Sequence, residues 1–484
     1  MSRKSKRPVF IDEDDSPNIS AQGCAIDITK DKLFNEAHSL PENLELNVEF
    51  LCAFNLLENT RDSVFVSGKA GTGKSTLLKY FRKNTSKNVV VLAPTGVAAI
   101  NVGGQTIHSF FNFPPRLIQK DTIRRRRNSK LIKKLDMVII DEVSMVRADL
   151  MDGIDYALRI NRDKLDVPFG GVQVVFFGDL FQLPPVVEKD ARMILSVAYE
   201  SPYFFNAKVF EQIKLRYVEL TKIYRQSDIK FINILNQLRC KEHTEGELQA
   251  LNERVRTRTP QNLAHCVILT TTNKRANEIN EQRLEGLSTE ELGYEAITTG
   301  TFDTSAYPTE FFLKLKRGAQ VILIKNDPDK RWVNGTIAEI SGISSVCIQV
   351  LIGDNICEVP RVTWEKIQYE YNEVTEKVEE NVIGTFEQYP LKLAWAITIH
   401  KSQGQTFDNV VIDLGYGAFT HGQVYVALSR CRTLEGILLK RPVVESDIIF
   451  DERIYNFRNR MIESDQAVMG SGLRVTDKLA KTKK

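Results

Sequence analysis

Along most of the chain, short and nearly unbroken apolar runs alternate with stretches whose apolar residues recur at helical spacing. The runs fall in SVFVSG from Ser63, NVVVLAPTG from Asn88 to Gly96, MVIIDE from Met137 to Glu142, and GVQVVFFGD from Gly171 to Asp179. A strand covered by helices on both faces has no need of polar positions, so these runs predict parallel strands. NVEFLCAFNLLEN and the segment after Gly73 carry the helical period between them. Strands alternating with helices predict an α/β fold with a doubly wound parallel sheet. A second unit of the same pattern begins near Tyr203 and is carried by CVILTTTN (Cys266 to Asn273), LKLAWAITIHKSQG (Leu391 to Gly404), NVVIDL (Asn409 to Leu414) and GILLKRPV (Gly436 to Val443). Between roughly Leu313 and Tyr389 the pattern changes to short strands with turn signals, including the hairpin dipeptide Asn334-Gly335. That change predicts a β-rich module inserted in the second unit.

The resulting map has a disordered extension over 1–43, a first α/β unit over 44–202 with a small insertion at about 112–134, a second unit over 203–312 and 390–465, the β insertion over 313–389, and a basic tail over 466–484. Composition changes this picture little. Apolar residues make up 42% of the 484 positions and charged residues 26%, ordinary for a globular protein. No apolar run is long enough to span a membrane and the N-terminus lacks a signal-peptide core, so an intracellular protein is expected. Seven cysteines with no CxxC pair argue against a disulfide framework or a zinc site and read as reduced thiols. The net charge of +3 implies no polyanionic partner by itself. Local clustering does: Arg116 to Lys134 holds nine basic residues and one acid, with Arg124, Arg125, Arg126 and Arg127 in a row.

The chemistry centres on GKAGTGKST after the first strand. Gly68, Gly71 and Gly73 allow backbone turns in which amide hydrogens converge on phosphates, and Ala70, Thr72 and Thr76 complete the loop and its helix. Lys74 supplies a cation, Ser75 a hydroxyl for Mg²⁺, and the helix N-terminus a partial positive charge. Phosphoanhydride hydrolysis also needs a metal carboxylate, a positioned water and cations for the transition state. Asp141 at a strand end is the expected metal carboxylate, and Glu142 the group that polarises water. Gln182 in GDLFQLPPV is placed to sense the γ-phosphate, and Arg225 in LTKIYRQ and Arg430 in VALSR to act as arginine fingers from the second unit.

In their order, GKAGTGKST, APTGVAAINVGGQTIHSFF, IIDEVSM, FGGVQVVFFGDLFQLPPV, LTKIYRQ, AWAITIHKSQGQTFDNVVIDL and YVALSRC resemble the motifs of superfamily-one helicases, from about Leu44 to Pro442. Their wording is most similar to the Pif-type DNA helicases, with RecD-type helicases next of kin. The resemblance implies two RecA-like domains with ATP and Mg²⁺ between them, a wedge at the first insertion, an SH3-like module at the second, and 5′-to-3′ translocation on single-stranded DNA. It implies forked duplex and G-quadruplex DNA as further partners, a monomer or DNA-induced dimer, and a location in bacterial or phage-host cytoplasm or a eukaryotic nucleus. Residue by residue, it carries DNA contact or coupling to Thr95, Gly96, Thr106, His108, Phe110, His400, Lys401 and Ser402. Thr106 and His108 suit phosphate, and Phe110, Phe111 or Phe113 suit stacking on bases, as a motor indifferent to sequence requires. Lys314, Lys316 and Arg317 extend the basic surface. In one place the chain departs from the family: Phe50 stands where many relatives carry an adenine-reading Gln. Two other readings compete with an autonomous motor, a RecD-like subunit of a larger assembly and a nucleotide-dependent DNA-binding switch.

Overall fold

The computed structural model describes residues 47–464 except 115, 128, 188, 227 and 257–265. The readings of the extension over 1–43 and the tail over 466–484 lie outside the described residues. The first sheet is six-stranded, in the order β3-β2-β4-β5-β1-β6, and all its pairings are parallel. Its strands are β1 (Ser63–Gly68), β2 (Val89–Ala93), β3 (Gln105–Thr106), β4 (Met137–Ile140), β5 (Gln173–Gly178) and β6 (Leu215–Leu220).

Each strand divides its residues between two cores, as a two-residue side-chain period demands. Val64, Val66, Val91, Met137, Ile139, Val175 and Phe177 face one core with Phe50, Ala53, Leu57, Leu77, Leu78 and Phe81 from the helices Val48–Asn59 and Lys74–Asn84. Phe65, Val90, Leu92, Val138, Ile140, Val174 and Phe176 face the other, against the helix Ala148–Arg162 and Phe204. Apolar content on both faces is therefore what makes these runs legible as buried strands.

Two boundaries differ from the map read in the sequence. β6, which a break at 203 assigns to the second unit, pairs with β1 through the full register from Ser63↔Leu215 to Gly68↔Leu220. The last helix, over 452–464, also returns to the first unit. Phe457 stacks on Phe205 at 4.3 Å between ring centroids, and Arg458 bonds Glu219 of β6 at 2.7 Å. An apolar stripe on that helix complements the Phe204–Phe205 pair, a match that no local pattern announces.

The second parallel sheet has four strands in the order β18-β7-β19-β20. β7 is Val267–Thr270, and between it and β18 the chain builds an antiparallel region. Its strands are β8 (Glu291–Glu295), β9 (Ile297–Gly300), β10 (Phe312–Lys316), β11 (Gln320–Leu323), β12 (Ile337–Ile343), β13 (Ile348–Ile352), β14 (Asn355–Val359), β15 (Val362–Asn372), β16 (Lys377–Gln388) and β17 (Leu391–Leu393). β18 (Ala396–Thr398), β19 (Val410–Asp413) and β20 (Ile437–Leu439) then complete the parallel sheet. The antiparallel region is wider than expected, because β8 pairs with β10 and β9 with β16. β9 is exposed along its whole length, so its sequence carries no burial pattern to read. Asn334-Gly335 does not form a tight hairpin; Gly335, at φ 98°, ends a long loop between β11 and β12 and donates its N–H to Leu323 O at 2.8 Å.

The β15–β16 hairpin reaches across to the first unit. Tyr369 Oη accepts from Val91 N at 3.2 Å, Val378 N donates to Asn88 Oδ1 at 3.0 Å, and Arg82 and Lys130 pair with Glu380 and Glu373. No described helix is long and apolar enough to cross a membrane. Cys240, Cys266, Cys347, Cys357 and Cys431 are free thiols. Cys52 is disulfide-bonded, which corrects the reading of seven reduced thiols.

Candidate functional site

The loop after β1 turns on two left-handed glycines, Gly71 at φ 84° and Gly73 at φ 87°. At Gly71 even a methyl group is impossible, since a Cβ would lie 2.4 Å from Arg225 Cβ. Lys74 opens the following helix and turns its ammonium back on the loop, donating to Gly68 O at 2.6 Å and Lys69 O at 3.1 Å. Burial lowers its pKa, while Asp179, Glu142 and Asp141 pull the other way.

At the end of β4 the backbone makes an unusual turn. Glu142 sits at φ 50°, ψ 43°, a left-handed conformation that costs an L-residue roughly 1–2 kcal/mol. This turn separates two adjacent carboxylates: Glu142 lines the cleft, and Asp141 stays buried at the strand end. Gly178 at the end of β5 makes room for it, since a Cβ there would come within 3.0 Å of Val143 Cγ1. Burial, reinforced by Glu142, pushes the Asp141 carboxyl up to about 7. Burial also raises Glu142, against the pull of Lys74 and Arg430.

A cavity of about 680 Å³ joins these groups. Ala70 to Thr76, Glu142 and Gln182 line it from the first unit, Gly404, Thr406, Arg430 and Arg432 from the second, and Arg225 from the crossing between them. Arg430 is almost wholly buried and held by Val426 O at 2.9 Å and Ser429 Oγ at 2.8 Å. Burial beside Arg225 lowers its pKa to about 9. Arg225 differs from its expected place: it lies on the segment leaving β6, packed on the P-loop, with Nη2 on Gly404 O at 3.3 Å and Nη1 buried with no hydrogen-bond partner among the described residues. It thus belongs to the crossing between the units.

Behind the cavity is a group that sequence reasoning missed. Asp179, fully buried, accepts from Arg239 Nη2 at 3.0 Å, Tyr425 Oη at 3.3 Å, Phe181 N at 3.2 Å and Gln182 Nε2 at 3.3 Å. Tyr425 Oη also accepts from Ala70 N at 3.4 Å, tying the second unit to the P-loop. Burial opposes ionisation of Asp179, but Arg239 and Lys74 outweigh it and hold its carboxyl below the usual range. The polar end of β5 was the only sequence signal for this hub. Asp179→Ala strands the Arg239 guanidinium, which keeps Glu219 at 3.8 Å and the Phe181 ring, 4.0 Å to its centroid. We expect it to cost about 3 kcal/mol of folding stability, the low end for breaking a buried ion pair. Urea denaturation checks this, and a loss below about 1 kcal/mol would place the pair among the weak ones.

The residues read as DNA contacts divide in two. Thr95 and Thr106 cap the helices Gly96–Val102 and Ile107–Phe111, accepting from Ala98 N and Ser109 N at 3.2 Å each. His108 and His400 are half-buried, and burial lowers both pKa values. Lys401 is exposed on the turn after β18. Gly96 packs on Ala306, where a Cβ would meet Ala306 Cβ at 2.7 Å. Phe110 and Ser402, by contrast, present no side chain to a ligand. Phe110 is 1% exposed, under Arg126 and edge-on to Tyr369, and Phe111 and Phe113 are buried with it. Ser402 is fully buried and donates to Ile399 O at 2.8 Å, closing the turn that positions Lys401.

Comparison with known proteins places this cleft in a family. A profile described as PIF1-like helicase matches residues 50–248, and one described as UvrD-like helicase C-terminal domain matches 393–435. The chain is 34% identical to an ATP-dependent DNA helicase Pif1 of Bdellovibrio bacteriovorus over 86% of its own length and 92% of that protein's. It spans 62% and 58% of two vertebrate relatives. Among solved structures, Bacteroides sp Pif1 in complex with ADP-AlF4 is 40% identical, with a TM-score of 0.81 over 87% of this chain and 98% of that one. Bacteroides Pif1 bound to ssDNA gives 0.63 at 40% identity over 86% and 97%. With a P-loop and two arginines lining one cleft, and identity of this extent over most of its length, the chain belongs to the Pif1-like helicase family.

Proposed function

We propose that this chain hydrolyses ATP in the cleft to translocate 5′ to 3′ along single-stranded DNA and so parts forked duplexes and G-quadruplex DNA. The observation that carries the reading is the two-sided cleft. The P-loop, Glu142 and Gln182 stand on one face, and Arg430 and Gly404 on the other, with Arg225 between them. Hydrolysis then requires the faces to close, and closure is what a motor converts into movement. Ser75 and Asp141 offer a hydroxyl and a carboxylate, hard oxygen donors that suit Mg²⁺ when phosphate and water complete the shell. Held there, the ion would supply charge neutralisation to the phosphates. Glu142 accepts the proton of the attacking water, Lys74 and the loop amides bind the phosphates, and Arg225 and Arg430 meet the charge that develops on the γ-phosphate.

The DNA face is assigned to the capped helix starts at Thr95 and Thr106, to His108, and to the turn carrying His400 and Lys401. The basic segment Arg124–Arg127 borders this face. Phosphate contacts without base readout fit a motor that must pass every sequence. Polarity is tested by unwinding of duplexes carrying a 5′ or a 3′ single-stranded tail, with and without ATP. Strand displacement from the 5′-tailed duplex alone is the expected result. Unwinding from the 3′ tail overturns the direction, and none from either tail overturns the autonomous motor.

A further inference from the structure

The cleft holds groups for phosphates along its floor, whereas its outer end is of another character. Phe50, Leu220, Tyr224, Asn47 and Thr76 line it. Phe50 is 7% exposed and packs in the first core, 5.8 Å from the Tyr80 ring, so it offers the cavity an apolar edge. Tyr224 is 52% exposed, is fixed by its N–H to Gly71 O at 2.9 Å, and lays its ring over Gly73 at the loop's mouth. The polar groups nearby are already engaged. Asn47 Oδ1 caps the helix Val48–Asn59 through Phe50 N at 2.8 Å. The Glu49 carboxylate accepts from Thr221 N at 2.7 Å and from the Thr221 hydroxyl.

Among the described residues, the side-chain groups left to meet a base are the Asn47 amide, the Thr76 and Thr406 hydroxyls and the Arg432 guanidinium, which only donates and already pairs with Asp408 at 3.2 Å. An amide donor finds an acceptor on any of the four bases, and a hydroxyl both donates and accepts. Telling adenine from guanine takes a donor and an acceptor fixed side by side, because the two purines present opposite groups at the same edge. We infer that this helicase holds its nucleotide by the phosphates and by ring contacts and does not discriminate the base, so that GTP, CTP and UTP drive it alongside ATP. The inference rests on the cleft being the hydrolytic site. Sites that hydrogen-bond a substrate group reject analogues by about 10⁴-fold or more, whereas apolar pockets separate similar ligands by only about 10–200-fold.

The test is phosphate release by the full chain with Mg²⁺ and a saturating single-stranded oligonucleotide, for each of the four triphosphates. We expect kcat/KM for GTP, CTP and UTP to lie within about 200-fold of ATP, the span that apolar pockets allow, and any larger ATP advantage overturns the inference. Tyr224→Ala is expected to raise KM for all four by a common factor; a rise confined to ATP also overturns it. Failure to turn over any triphosphate overturns the hydrolytic reading itself, an outcome distinct from ATP-only turnover.

Discussion

Lys74→Ala abolishes DNA-stimulated ATP hydrolysis and leaves single-strand binding in place. Its ammonium is the P-loop's own cation, desolvated and surrounded by Asp179, Glu142 and Asp141. Without it those carboxylates face the triphosphate uncompensated, and ground-state binding weakens together with the transition state. A fall of about 10³-fold in kcat is expected, the upper end for removing one preorganised donor from a dry site, beside a rise in KM. Folding should survive, because the substitution removes the cost of burying an ammonium whose hydrogen bonds, among the described residues, go to two loop carbonyls. Steady-state phosphate release with and without an oligonucleotide, beside fluorescence anisotropy for DNA affinity, reads both halves. Retained turnover would sink the assignment of the cleft.

Arg225→Ala lowers kcat by about 10³–10⁵-fold, the range measured for arginine fingers, with nucleotide affinity changed far less. The guanidinium lines the cavity with Nη2 on a carbonyl at 3.3 Å and Nη1 without a hydrogen-bond partner among the described residues. A group held so loosely gains its hydrogen bonds when charge develops on the γ-phosphate, and such differential binding raises turnover rather than affinity. Arg225→Lys should not rescue the activity, since an ammonium lacks the planar fork. Stopped-flow nucleotide binding separates the two effects. The finger role is falsified if kcat stays within about tenfold of the unsubstituted chain.

How much of this was legible in the sequence depends on how local the cause was. β1, β2, β4 and β5 were readable because both faces of the sheet are apolar, and the P-loop because its spacing is set by phosphate geometry. β6 and the helix over 452–464 were misplaced, since pairing with β1 and stacking on Phe205 are choices among partners far apart in the chain. Phe110 read as a stacking surface because FFNF carries no sign that the β15–β16 hairpin covers it with Tyr369. The Asp179 hub was invisible for the same reason: Arg239 and Tyr425 reach it from separate helices. Gln182 and Arg430 were found through the order of motifs and do line the cleft, while Ser402, found the same way, closes its own turn and offers its carbonyl to Arg430 Nη1 at 3.3 Å.

The return of the last helix makes the second unit an excursion between two covalent crossings of the boundary. One crossing carries Arg225, packed on Gly71. The other passes through Phe450, 6.4 Å from the Phe181 ring, and Asp451, bonded to Tyr203 Oη at 2.9 Å. The β15–β16 hairpin adds a third tie, through Tyr369 to Val91 and Val378 to Asn88. The second unit is thus pinned at both chain crossings and along the hairpin, so any change of angle between the units has to strain or break one of these ties.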